Sequence, residues 1–161
     1  MAFRGHRQTP YENQYALSSR MFYWSLSQPF ASSITDIQLH TGGTNYIHFI
    51  ERSFQTGSSG YNVKLLEDVG LTTGTSELTS YNVNRASTLG STMKIYSMPS
   101  AASSSGSTLE NITLIKDNRW DQLPTELILK RSEDYVFRIN NTGSTILSLD
   151  INFVWYELAS C

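Results

Sequence analysis

The residues with most capacity for chemistry are the three histidines, His6, His40 and His48, and a scatter of carboxylates. His48 lies between Ile47 and Phe49 and shortly before Glu51, a proximity that some β-barrel metal sites use. In a regular strand residues three apart point to opposite faces, and the chain has no His-x-His pair, so this stretch reads as a strand without a metal. Serine is abundant, but a serine nucleophile needs a positioned base and an acid to orient it. No Gly-x-Ser-x-Gly elbow is present. Gly57-Ser-Ser-Gly60 and Ser105-Gly-Ser107 read instead as flexible turns. Among Asp36, Glu51, Glu67, Asp68, Glu133, Asp134 and Asp150, the adjacent pairs Glu67-Asp68 and Glu133-Asp134 fit solvated turns better than a glycosidase pair. A phosphate-binding glycine loop with a lysine is also missing. The expectation is no catalytic residue, no cofactor and no metal: a protein that binds or scaffolds.

Two arginines stand out as contact residues. Arg85 follows Tyr81-Asn-Val-Asn84 in a turn, and Arg138 sits between apolar Phe137 and Ile139, so it leaves its strand on the other face. Each is a candidate for pairing with a carboxylate on a neighbouring copy; a partly buried ion pair within the chain is the equal alternative. The first thirty residues read differently from the rest. Phe3, Tyr11, Tyr15, Phe22, Tyr23, Trp24 and Phe30 are interleaved with Arg4, Arg7 and Arg20, which face only Glu12. Aromatics and arginine are enriched where protein surfaces meet. Residues 1–30 therefore read as an extended arm, with a short helix possible over Gln14–Trp24, and 31–161 as the folded domain.

The elements behind these residues are strands. The chain has 161 residues, one domain's length, with 16% charged residues and a net charge of −2. The charged share is low against a typical ~25%, and Ser, Thr, Asn and Gly fill the gap, which suits surfaces covered by a partner. This balance speaks against nucleic acid as the main partner, because phosphate binding needs a basic face. No run approaches the ~20 apolar residues of a membrane span, and Met1–Pro10 lacks a signal-peptide core; the expectation is a protein made in the cytoplasm, with no membrane partner. The single cysteine, Cys161, forms no disulfide within the chain. Candidate strands are Ile34–Leu39, Asn45–Arg52, Tyr61–Glu67, Glu77–Val83, Ser91–Met98, Ile112–Lys116, Glu126–Arg131, Tyr135–Asn140 and Thr145–Leu158. In the last, Leu147, Leu149, Ile151, Phe153 and Trp155 alternate with Ser148, Asp150, Asn152, Val154 and Tyr156, the pattern of a half-buried antiparallel strand. Pro99–Leu109 reads as a long crossover loop. Many short strands with frequent turns predict an all-β sandwich or jelly roll.

Three stretches then carry a resemblance. They are Tyr81–Tyr96 with its Tyr-Asn-x-Asn-Arg opening, Glu126–Asn140 with Leu-Lys followed by Tyr-x-x-Arg-Ile, and Ile146–Glu157 with its closing Phe-x-Trp-Tyr-Glu. In this order they resemble the capsid cement, or decoration, proteins of short-tailed bacteriophages, over about the last half of the chain. The resemblance implies a jelly-roll-like antiparallel β-sandwich, to which the residues themselves add the extended N-terminal arm; the arm and the Pro99–Leu109 loop have no counterpart in the resemblance. It also implies a virion structural protein on the outer capsid surface, commonly a homotrimer, that bridges copies of the major capsid protein. The arm residues Phe3, Arg4, Arg7, Tyr11, Tyr15, Arg20, Phe22, Tyr23 and Trp24 would then grip the shell, and Arg85 and Arg138 would lie between subunits. The rival expectation is a receptor- or glycan-binding head of a phage fibre or tail protein, acting through loop tips such as Thr56–Gly60 and Pro99–Leu109. A polysaccharide-cleaving enzyme on the same scaffold rests on fold analogy alone.

Overall fold

The computed structural model describes residues 20–30, 34–57, 60–67, 76–98, 106–114, 119–122, 126–143 and 148–159. Within them the chain forms twelve strands and no helix. These are β1 (Met21–Pro29), β2 (Ile34–His40), β3 (Tyr46–Thr56), β4 (Tyr61–Glu67), β5 (Ser76–Leu78), β6 (Tyr81–Asn82), β7 (Lys94–Met98), β8 (Ser107–Leu114), β9 (Arg119–Gln122), β10 (Leu127–Leu129), β11 (Asp134–Asn141) and β12 (Ser148–Leu158). They make a sandwich of two antiparallel sheets. The first runs β10-β3-β12-β1-β6, with β9 also pairing β3, and the second runs β5-β7-β2-β11-β4-β8. Early strands pair with late ones in mirror order: β1 with β12, β2 with β11, β3 with β10 and β9, and β4 with β8. The segment between the two halves lengthens both sheets on one side. β7 and β5 continue the second sheet beyond β2, and β6 continues the first beyond β1.

Two-residue alternation builds the core. On β12, Leu149, Ile151, Phe153 and Trp155 are fully buried, and on β11 so are Tyr135, Phe137 and Ile139. Phe153 is the hub: its ring stacks on Phe137 of the opposite sheet at 4.7 Å and meets Trp24, Phe49 and Phe54 at 5.2, 5.5 and 6.0 Å. Aromatic pairs at these separations add to the burial of their area.

β3 breaks the alternation. Ile47 and Phe49 point inward, but Phe54 lies an odd number of residues further on, so an unbroken strand would turn it outward. The register against β12 shifts between Val154 and Trp155: Phe49 faces Trp155, Glu51 faces Val154, and Ile50 is the extra residue. This bulge returns Phe54 to the interior and takes Arg52 inward with it. It also overturns the expectation that His48 and Glu51 point to opposite faces. His48 is paired with Tyr156 and Glu51 with Val154, both on the outer face.

Other expectations are corrected as well. Met21–Pro29 is a strand between β12 and β6, not arm or helix, so the sandwich begins ahead of residue 31. Phe22 and Trp24 alternate with Tyr23 and Ser25, and the core takes them. The Glu77–Val83 candidate is two short strands in different sheets. β8 begins at Ser107, inside the expected Pro99–Leu109 loop, and β9 was not anticipated. Residues 1–19, with Phe3, Arg4, Arg7, Tyr11 and Tyr15, lie outside the described residues.

Candidate interaction surface

Rows of outward positions across the first sheet follow from its register. One row is Tyr81, Tyr23, Val154 and Glu51; the next towards the strand ends is Met21, Tyr156, His48 and Ile128; the last pairs Leu158 with Tyr46. In the opposite direction the rows turn polar: Ser25, Asn152 and Ser53, then Ser27, Asp150 and Gln55. The outer face is thus divided across the strands into an aromatic, apolar half and a polar half. In the apolar half Tyr81 is 46% exposed and Ile128 44%.

At the β1–β6 side the surface is built by a braced loop. Tyr23 and Tyr81 face each other in register and stack at 5.6 Å, and the Val83 N–H donates to the Met21 carbonyl. The Asn82 side chain accepts from the Asn84 N–H at 2.9 Å, and the Asn84 side chain accepts from the Ala86 N–H at 3.1 Å. Two successive Asx turns therefore explain the Tyr-Asn-x-Asn-Arg spacing. Asn82 also donates to the Leu89 carbonyl at 3.2 Å, which closes the loop. The result presents Arg85 over the Tyr81 ring at 5.5 Å and leaves Leu89 52% exposed. An exposed cation over an aromatic face is worth about 0.5–1 kcal/mol, enough to hold the guanidinium in place while it remains open to a partner.

At the β3–β10 side a second cation sits on an aromatic ring. Arg131 lies 4.5 Å from the Tyr46 centroid and donates to its hydroxyl at 3.3 Å. Beside it, buried His48 stacks on Tyr156 at 4.7 Å, and its Nδ1 is 2.7 Å from Glu126. The Tyr156 hydroxyl donates to the same carboxylate oxygen. His48 Nε2 has no hydrogen-bond partner among the described residues. This cluster escaped the sequence reading because Glu126 is remote from His48 in sequence.

The expected site residues separate. Tyr23 comes together with Tyr81 and Arg85 at the β1–β6 edge, whereas Arg20, exposed immediately before Met21, accepts through its carbonyl from the Glu157 N–H. Phe22 and Trp24 are core residues and cannot serve as contacts. Arg138 is engaged within its own chain: Nε and Nη2 donate to the two Asp36 oxygens at 3.0 and 2.9 Å. Asp36 is fully buried, so this bidentate pair neutralises it. The hydrogen bond to Asp36 raises the Arg138 pKa above its ordinary value. No group of three or more His, Cys, Asp and Glu among the described residues is placed to hold a metal ion. What the arrangement offers is non-covalent contact: aromatic area, exposed aliphatic tips and two arginines, Arg85 and Arg131, beside them. Comparison with protein-family models, curated proteins and solved structures finds no match.

Proposed function

We propose that the chain is a virion structural protein, a cement protein that binds the outer surface of a phage capsid and bridges subunits of the major capsid protein. The observation that carries this reading is the apolar half of the first sheet's outer face, with Tyr81, Leu89 and Ile128 exposed and arginines at its rim. The mirror pairing of β1–β4 with β12–β8 supports reading the sandwich as a jelly roll. In this proposal Tyr23, Tyr81, Leu89 and Ile128 supply burial at about 25 cal/mol per Å². Arg20 and Arg85 meet carboxylates on the shell and set orientation and association rate. Residues Phe3, Arg4, Arg7, Tyr11 and Tyr15, which precede Arg20, extend the contact. Because the Asx turns already fix the Arg85 loop, little ordering cost falls on binding.

The test is co-sedimentation with capsid shells assembled without the protein. The full chain is expected to bind saturably, and Tyr81→Ala with Arg85→Glu to weaken binding at least about a hundredfold, the effect of a hot spot near 3 kcal/mol. Unchanged binding by that double variant would remove the surface from the proposal. If shells are ignored while a glycan array shows specific, Tyr81-dependent binding, the chain is a receptor-binding head instead.

A further inference from the structure

Sheet edges expose unpaired backbone N–H and C=O groups, and proteins blunt them with short strands, charges or bulges. Three of the four edges here are blunted. β6 has two residues and β5 three, and the edge of β3 is covered by the short strands β9 and β10, four and three residues long. β8 is the least blunted: its bulge at Leu109 and its inward-turned Glu110 protect only the first half of the strand. It has eight residues, ends the second sheet, and pairs with β4 on one side only among the described residues.

Beyond Glu110, β8 carries no charge. Its outward positions carry Asn111 and Thr113, both exposed, and its N-terminal part is Ser107, Thr108 and Leu109. Its one charge, Glu110, is turned away from the edge: Arg52 reaches across from the other sheet and donates to both carboxylate oxygens, at 2.6 and 3.3 Å. The Asn111 and Thr113 side-chain oxygens accept from Asn62 on β4, at 2.9 and 3.4 Å, which ties them to the inner neighbour. A register shift around Leu109 bends the first part of the strand and leaves Glu110–Leu114 as the straight run.

We propose that this run pairs with the same run of a second copy, antiparallel about a two-fold axis, joining the two second sheets into one. A second copy fits because the strand is neutral and self-compatible. Asn and Thr meet across the axis, and no like charges stand directly opposite, the arrangement that penalises self-pairing. Among the described residues, the cation in register with Asn111 on β4 is Lys64. Across the axis the two Lys64 are three strand spacings apart, about 14 Å, beyond the ~8 Å screening length at physiological salt. A two-fold pairing uses each open edge once and closes, whereas an unpaired neutral edge on every chain would remain a template for uncontrolled association.

Sedimentation velocity on the full chain across the micromolar range tests this without any capsid, so its failure and that of the cement reading are distinguishable. The expected mass is twice the 18.1 kDa of one chain. Asn111→Lys and Thr113→Lys each place like charges near the axis and are expected to weaken the dimer at least about tenfold, with circular dichroism unchanged. Ser25→Lys, on the outer face of the other sheet, is expected to leave it intact. A monomer throughout, a trimer, or a dimer indifferent to both β8 variants would overturn the proposal.

Discussion

Arg52 is 1% exposed and Glu110 19%, so their ion pair is held mostly out of water between the sheets. Taking charges out of water is costly, and the pair is tolerated because the two guanidinium contacts return most of that cost. Removing one partner strands the other. Arg52→Ala is expected to cost about 3–5 kcal/mol, while Arg52→Met with Glu110→Leu is expected to be near neutral. Urea unfolding of the three proteins checks this; equal losses in single and double variants would mean packing, not charge, dominates. Nothing in the sequence around Arg52 marks it as buried, because its inward turn depends on a bulge. Tyr135 was legible as the start of a strand, but not the setting of its hydroxyl, which accepts from the Lys130 N–H at 2.9 Å and donates to Glu67 at 3.0 Å. Burial, before any neighbouring charge, raises its pKa well above the ordinary 10.0. The unfolded chain therefore loses this proton at lower pH than the folded one. The stabilisation is complete below about pH 10 and falls as pH climbs towards the folded value. Tyr135→Phe is expected to cost about 1 kcal/mol at neutral pH, for the bonds lost, and to flatten the alkaline fall. Denaturation midpoints measured at neutral and alkaline pH check the sign, and an unchanged slope would place the alkaline sensitivity elsewhere.

At the scale of elements, strands with strict alternation were readable and interrupted ones were not. β12 alternates throughout and β11 keeps a two-residue period for Tyr135, Phe137 and Ile139, with buried Val136 between them, and both were found close to their observed bounds. β1 was hidden because its outward residues change character along its length: Tyr23 lies in the aromatic half of the face, and Ser25 and Ser27 in the polar half. A run of Phe22, Tyr23 and Trp24 then resembles a sticky arm rather than an alternating strand. Only the register against β12 shows that Phe22 and Trp24 oppose Trp155 and Phe153. A chain starting at Ala31 is therefore expected not to fold. It lacks the strand between β12 and β6, and losing a buried aromatic of this kind costs about 3–5 kcal/mol, against a whole-domain stability of about 5–15. A chain starting at Arg20 keeps that strand and is expected to show the near-ultraviolet dichroism of packed aromatics. A cooperative melt from the shorter chain would show that the remaining strands suffice.

For the whole molecule, the question is what ties the braced Arg85 loop to the sandwich, since the proposed contact depends on it. The segment from β5 to β7 joins both sheets, and its anchor is Glu157, near the end of β12. This carboxylate is 3% exposed and has no cation within ion-pair distance among the described residues. Neutral donors surround it instead: the Ser91 and Thr92 hydroxyls at 2.6 Å each, the Thr92 N–H at 2.9 Å and the Asn45 amide at 3.2 Å. Successive backbone N–H groups and hydroxyls form a concavity suited to an anion. The sequence displayed Phe-x-Trp-Tyr-Glu as a closing pattern but gave no sign that its Glu turns inward, because a buried charge can be identified only from its donors. Glu157→Gln replaces one oxygen with an amide that points hydrogens at groups already donating, so it is expected to cost about 2–3 kcal/mol or more through unmet donors. The damage should be local before it is global. Hydrogen exchange over residues 81–93 is expected to accelerate while β11 and β4 keep their protection. Shell binding should fall in parallel, although Glu157 is buried and cannot touch a partner. Uniform acceleration across all strands would instead make Glu157 a support of the core as a whole, and would separate the inserted segment's anchoring from the contact it presents.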